Sequence, residues 1–509
     1  MLGKGKLMEK SNIIPMVEKS PEYHEQIITR YSGNPLIEAL TPILSKEDVI
    51  RKSLYLPEVP ENIGELDSGN RYHYINFIKE AYSPPVEIVE IERAFSSLLK
   101  YGYVERNPIN RKEYLSVFET FEQEINLFNY DKPHIEINPG IPASNRSSMA
   151  STYAIVGPSG MGKTLTMNKI IENYNRIIIH TMYAGNKLSM IQIPTLKIQC
   201  PHDASPRTLA YNFCLALDEL FGGRKFVQKY ASRRYNKEEI LDNIKWIAFT
   251  YNIGVLIIDE LQNLDIPKGE QEVLFNFFDS MTNMQIPIIY MGTPKMEKLF
   301  KTDLRHARRM ATDGVFRWQR MMRGRNWDIY LGHIWKCQYV KYPAQLTEEL
   351  NRLMYDCSQG IPAIVTALFM NAQRRALDRE EKITPAIIKE VYRLLPVLPM
   401  IEALRRNDND TIKKYEDISI KVDEMLRDFE IQQRIEVVSP SQEYTEPVKT
   451  PNAAAEIKEK QKSKSKVINF DGAKDLRKIY ESAVKSKTDI TIALKNEGFI
   501  KEIKDLVVI

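Results

Sequence analysis

Apolar residues along this chain fall into two rhythms. Short unbroken runs, Tyr153-Ala154-Ile155-Val156, Val255-Leu256-Ile257-Ile258 and Ile286-Pro287-Ile288-Ile289-Tyr290-Met291, predict strands covered on both faces, as in a parallel sheet. Around them, apolar spacings of three and four predict helices over 72–81, 85–101, 165–173, 271–283, 348–355, 362–377 and 385–395. Within the second of these, Ile88, Ile91, Phe95, Leu98 and Leu99 form one stripe, a pattern that builds core more often than interface. Strands that alternate with helices predict an α/β fold, a parallel sheet with flanking helices. A mostly helical region precedes it and a compact helical subdomain follows.

Pro, Gly, Asn and Ser punctuate this pattern and set its boundaries. The expected organisation is an N-terminal region over 1–130, irregular at its start, a linker over 131–149, an α/β core over 150–335, an α-helical lid over 336–400 and a helical extension over 401–437. Pro440, Pro447 and Pro451 then break the pattern, and lysines alternate with Glu, Gln and Ser up to 466. The stretch 438–466 therefore reads as a flexible linker, and 467–509 as a short docking segment on a C-terminal arm.

Composition changes this picture little. A chain of 509 residues that is 43% hydrophobic can bury several cores, so two or three domains are expected. Its 71 Lys and Arg against 67 acids, a net +4, neither require nor exclude a nucleic-acid partner, since only the surface facing a duplex must be basic. Cys200, Cys214, Cys337 and Cys357 show no C-x-x-C spacing and read as reduced thiols, and Cys200 with His202 is too small a set for zinc. No run of eighteen apolar residues occurs, and no apolar stretch follows the basic first residues. A soluble, cytoplasmic protein with no membrane partner is expected.

The candidate chemistry begins directly behind the first strand. Gly157-Pro158-Ser159-Gly160-Met161-Gly162-Lys163-Thr164 fits G-x-x-x-x-G-K-[ST], with Leu165 opening the helix that follows. Glycines let successive backbone N–H groups turn inward on phosphate oxygens, Lys163 neutralises β/γ charge, and the Thr164 hydroxyl is placed to ligate Mg²⁺. ATP and Mg²⁺ are thus the expected ligands. The second strand ends in Asp259-Glu260. Asp259 is the candidate metal carboxylate and Glu260 the candidate base that polarises the attacking water. The third strand runs into Gly292-Thr293-Pro294, an order that fits an additional-strand ATPase in which this strand lies between the other two. Thr293 is the candidate γ-phosphate sensor; a plain strand-to-turn threonine is the alternative.

Arginines crowd the next stretch: Arg305, Arg308, Arg309, Arg317, Arg320, Arg323 and Arg325, with Trp318 and Trp327 interleaved. Such a cluster serves a neighbouring subunit's nucleotide as an arginine finger, grips nucleic-acid phosphates, or forms a solvated basic face.

Taken together, GPSGMGKT, VLIIDELQNL and IIYMGTP, with Cys200-Pro201-His202-Asp203-Ala204-Ser205-Pro206-Arg207 leading into an amphipathic helix, resemble the TnsC regulators of transposition and the related TniB proteins. Both are AAA+ ATPases of the initiator-like branch. The likeness is best over 150–375 and extends weakly upstream through Ile91-Glu92-Arg93-Ala94-Phe95-Ser96 and through 101–108. It implies a prokaryotic, nucleoid-associated protein that assembles on double-stranded DNA as a homo-oligomeric ring or filament of roughly six or seven subunits per turn. It further implies a target-selector protein received at one face and transposase subunits recruited at another, with 1–130 as a partner-docking region and 467–509 as the docking peptide for the transposase. Carried over by position, Lys163 and Thr164 match the phosphate loop, Asp259 and Glu260 the metal and water residues, and Thr293 the sensor, and a finger is expected near Arg308 or Arg309. The lid segment Ser358-Gln359-Gly360-Ile361-Pro362-Ala363 departs from the initiator-like pattern in having no arginine.

Lys187, Lys197, Arg207, Arg224, Lys225, Arg233 and Arg234 are the candidate DNA contacts, each through backbone phosphate. Two readings stand beside the transposition regulator: a signalling or defence NTPase switch without DNA, and a replication initiator or helicase loader. The last would be expected to carry a DNA-reading helical module after the lid. The tail from 400 onward shows low-complexity spacing instead.

Overall fold

In a computed structural model, the described residues are 17–19, 21–110, 149–223, 225–231, 235–264, 268–302, 309–408 and 425–427. Arg224, Arg233, Arg234 and Arg308 lie outside them, as do the linker before residue 149, most of the helical extension, and the whole of 438–509.

Eight strands occur among the described residues: β1 (Val17–Lys19), β2 (Thr152–Val156), β3 (Ile177–Tyr183), β4 (Asn186–Gln192), β5 (Thr195–Gln199), β6 (Val255–Asp259), β7 (Ile288–Gly292) and β8 (Val315–Arg317). Five of them form a parallel sheet in the order β5-β6-β7-β2-β8. The aliphatic runs occupy its interior: β2, β6 and β7 are buried at every position, while the edge strands β5 and β8 are only partly covered. As the run order predicted, β7 lies between β2 and β6, with Val156 in register with Gly292. Because side chains alternate across a strand, the sheet feeds two cores. Tyr153, Ile155, Val255, Ile257 and Met291 face one, and Ala154, Val156, Leu256, Ile258 and Tyr290 the other.

The second core is closed by the helices Pro206–Phe221, Lys237–Thr250 and Lys268–Asn283. The first is closed by Lys163–Ile171, by the N-terminal helix Ile88–Val104 and by the lid helices Glu348–Ser358, Pro362–Leu377 and Pro385–Arg393. All five residues of the predicted stripe, from Ile88 to Leu99, are buried there. Just past this helix, the buried Arg106 guanidinium donates to the carbonyls of Gly102, Ile253 and Gly254, the last two lying at the start of β6, and packs over the Tyr103 ring. Burial lowers its pKa to about 10. This side chain thus helps tie the N-terminal region to the segment that enters β6.

The smaller sheet, β1-β3-β4, is a hairpin over β3 and β4 joined by Ala184 and Gly185, both at positive φ, with β1 alongside in parallel. Among the described residues no helix is long and apolar enough to cross a membrane.

Candidate nucleotide site

Three strand ends converge on one point. The turn after β2 is the phosphate loop, and its glycines answer two geometric demands. Gly162 takes φ +87°, which favours glycine, and a Cβ on Gly157 would stand 2.6 Å from that of Trp318. Gly162 caps the helix Lys163–Ile171, so the free N–H groups of its first turn open on the loop.

Lys163 Nζ donates to the carbonyls of Gly157 (2.8 Å) and Pro158 (2.9 Å), which uses two of its three protons. Burial lowers its pKa to about 8, against the pull of Glu260 and Asp259. Thr164 Oγ1 donates to Asp259 Oδ2 at 2.8 Å, so the two residues predicted to share a metal ion are already side by side. Hydroxyl and carboxylate are hard oxygen donors suited to Mg²⁺. Among the described residues no group of three or more His, Cys, Asp or Glu could hold a metal ion, so an ion held by Thr164 and Asp259 would need phosphate oxygens and water as its other ligands.

Glu260 follows at φ +59°, a left-handed conformation that costs a non-glycine residue roughly 1–3 kcal/mol. Its backbone N–H is held by Asp259 Oδ1 at 3.0 Å, and its carboxylate accepts from Gln262 Nε2. Gln262 then accepts from the Thr293 N–H at 3.0 Å through its Oε1. One glutamine therefore links the base candidate to the sensor candidate across β6 and β7. The Thr293 hydroxyl is buried, has no hydrogen-bond partner among the described residues and belongs to a residue that lines the cleft, as a group meant for a ligand would be. In the sequence Gln262 stands out only as part of the DELQNL run. Its signal was the i, i+2 spacing from Glu260, whose meaning depends on the sharp turn at that residue.

The cleft holds about 430 Å³. Besides the loop, Asp259, Glu260 and Thr293, its walls come from two places the sequence did not mark. One is the N-terminal segment with Lys79, Tyr82 and Ser83, in which Tyr82 donates to Thr166 at 2.8 Å. The other is the lid, where Ala363 N–H donates to Gly160 O at 3.1 Å and Pro362 and Thr366 line the cavity.

The remaining candidates lie elsewhere. Arg309 donates to Asp279 at 2.7 Å, and its carbonyl accepts from Thr152 at the start of β2, the end of that strand away from the phosphate loop. It is therefore not positioned to serve its own nucleotide. Lys187 is exposed on β4, and Lys197 on β5 is half-buried with its ammonium on Asn168. Arg207 donates to the Tyr235 carbonyl, and Lys225 opens the helix Lys225–Tyr230 beyond the C-terminal end of the helix that Pro206 begins. Trp318 and Trp327, interleaved among the arginines, are buried core residues, and Trp327 donates to Asn351.

Residues 146–300, about a third of the chain, match the model of the AAA domain family. No curated protein matches significantly. Among solved structures, the chain is similar to the Orc1 protein of Aeropyrum pernix in complex with DNA, at 14% identity over 57% of this chain and 79% of that one, with a TM-score of 0.35. The sheet order, the paired strand-end motifs and the AAA domain match together give the α/β core the fold of an AAA+ ATPase.

Proposed function

We propose that this chain is an ATP-hydrolysing regulator of DNA transposition of the TnsC/TniB kind. It assembles as a homo-oligomer on duplex DNA and links a target-selecting protein to a transposase. The observation that carries the ATPase part is the Thr164–Asp259 hydrogen bond beside Lys163, with Glu260 and Thr293 brought to the same point through Gln262. The transposition part is supported by the combined motifs and by the long regions that flank the core.

The residues divide the reaction between them. Lys163 and the loop N–H groups hold the β- and γ-phosphates, and Thr293 O–H donates to a γ-phosphate oxygen. Thr164 and Asp259 would hold Mg²⁺, which would supply positive charge to offset that of the phosphates. Glu260 accepts a proton from water as the water oxygen bonds to Pγ and the bond from Pγ to the β,γ-bridging oxygen breaks, leaving ADP and phosphate. Gln262 fixes the carboxylate relative to Thr293. Arg308 or Arg309 of a second copy completes the site in trans, after Arg309 leaves Asp279. Hydrolysis then limits the lifetime of the assembly on DNA.

Electron microscopy of the full chain with duplex DNA and a non-hydrolysable ATP analogue tests the reading. Rings or filaments on DNA, seen only with nucleotide, are expected. Single particles free of DNA under all conditions would remove the DNA part and leave a nucleotide switch.

A further inference from the structure

A second cleft, of about 420 Å³, lies against the first, and the two share Ser83, Pro85, Met321 and Tyr330 as a common wall. The rest of its lining includes three arginines, Arg320, Arg323 and Arg325, against one carboxylate, Glu87. Arg325 is exposed, and its guanidinium has no hydrogen bond or ion pair among the described residues. Arg323 donates to Glu348 at 2.7 Å, but both side chains are largely exposed, and such a pair contributes only about 0–1 kcal/mol. Arg320 bonds to a neutral group, Gln359 Oε1, at 2.9 Å and keeps its charge uncompensated. The eleven-residue helix Arg325–Trp335 begins here at Gly324 with no side-chain cap, so the N–H groups of its first turn open toward the same space.

Three guanidinium groups and a helix N-terminus fit a ligand that presents several anionic oxygens, and phosphate is the chemistry that matches. Tyr330, the cleft's one aromatic, is buried, with its hydroxyl directed to the Pro362 carbonyl. The lining suits a backbone without its bases. We propose that Arg320, Arg323 and Arg325 hold the phosphodiester backbone of duplex DNA, an inference that rests on the DNA-binding reading above.

The position of the cleft also couples it to nucleotide. Met321 N–H donates to Gly360 O at 3.1 Å, and a side chain on Gly360, at φ +73°, would strike the Met321 carbonyl, so the arginine segment is pressed onto the lid turn. Three residues on, Ala363 N–H reaches the phosphate-loop carbonyl of Gly160. A backbone held by the arginines therefore bears on the lid segment that touches the nucleotide.

The experiment is fluorescence anisotropy of the full chain with a labelled duplex and a non-hydrolysable ATP analogue, over roughly 50 to 200 mM salt, alongside direct titration of a fluorescent nucleotide. The double variant Arg323→Ala/Arg325→Ala should bind nucleotide as the parent does. Its DNA affinity should fall on the order of tenfold, and log K against log salt should become shallower by roughly two. Replacement of both by lysine should restore most of the slope. An unchanged slope and affinity in the alanine variant, with the parent binding DNA, would overturn the cleft assignment and leave the DNA reading intact. A loss confined to nucleotide affinity would reassign the cleft to the phosphates of a free nucleotide. Failure of the parent to bind DNA in any nucleotide state would overturn both.

Discussion

Polar side chains gather at both ends of β6 and are put to opposite uses. At its start, the carbonyls of Ile253 and Gly254 are taken by the buried Arg106, and that of Asn252 by Tyr103 Oη at 2.7 Å. All three of these acceptors are matched. At its finish, Glu260 is held in a strained backbone conformation, the Thr293 hydroxyl is buried without a partner, and Lys163 is buried enough to lose part of its hold on a proton. Satisfied polar groups at one end hold the N-terminal region to the sheet. Unsatisfied and strained ones at the other are stable only because the surrounding structure over-determines them, which is how binding sites are kept ready.

The largest effect expected from this contrast lies at the strained end. Glu260→Gln should lower kcat by roughly 10²- to 10⁴-fold, with nucleotide binding close to that of the parent, because the amide keeps the shape and loses the base. Steady-state phosphate release together with a binding titration checks it. Turnover near the parent value would remove Glu260 from the base role and leave its φ of +59° without a functional account.

At the satisfied end the effect should be on stability. Arg106→Ala leaves the Ile253 and Gly254 carbonyls without their donor and should cost about 2–3 kcal/mol. That is about a hundredfold in the folding equilibrium. Thermal and denaturant unfolding read it directly, while kcat below the transition should stay near that of the parent. A loss of kcat without a loss of stability would show that the two ends are not separable.

What the sequence disclosed follows the same division. Unbroken aliphatic runs occur only where a strand is covered on both faces, so β2, β6 and β7 were legible with their order, and the loop and acidic pair came with them. The hairpin β3–β4 was not, because its outer half is exposed and the apolar pattern fades along Thr181, Met182 and Lys187. The arginine-rich stretch hid a regular helix, Arg325–Trp335, whose buried face is carried by Trp327, Leu331 and Ile334 while its first residue faces the second cleft. The spacing of Gln262 from Glu260 gains its meaning only from the turn at Glu260, and Tyr82 and Ala363 could not be read at all. The last two act through long-range contacts that no local spacing encodes.

The smallest effect would sharpen the contrast through pH. Lys163 must be charged to hold phosphate, yet burial lowers its pKa in the free protein from 10.5 to about 8. Below that value the ammonium is already present and nucleotide affinity should be flat. Above it, each binding event must first take up a proton, so affinity should fall by about tenfold per pH unit until the pKa in the complex is reached. The effect on folding has the opposite sign. The unfolded lysine holds its proton up to 10.5 and the folded one only to about 8, so between those values the unfolded state binds more protons and the Lys163 contribution to stability rises with pH. A fall in affinity in that window therefore cannot come from this lysine unfolding the protein. A fluorescent-nucleotide titration at about pH 7, 8 and 9, with thermal unfolding at each, separates the two. Affinity that stays level to pH 9 would mean that the Asp259 and Glu260 carboxylates outweigh burial, so that the catalytic end of β6 compensates its charges as fully as the other end matches its carbonyls.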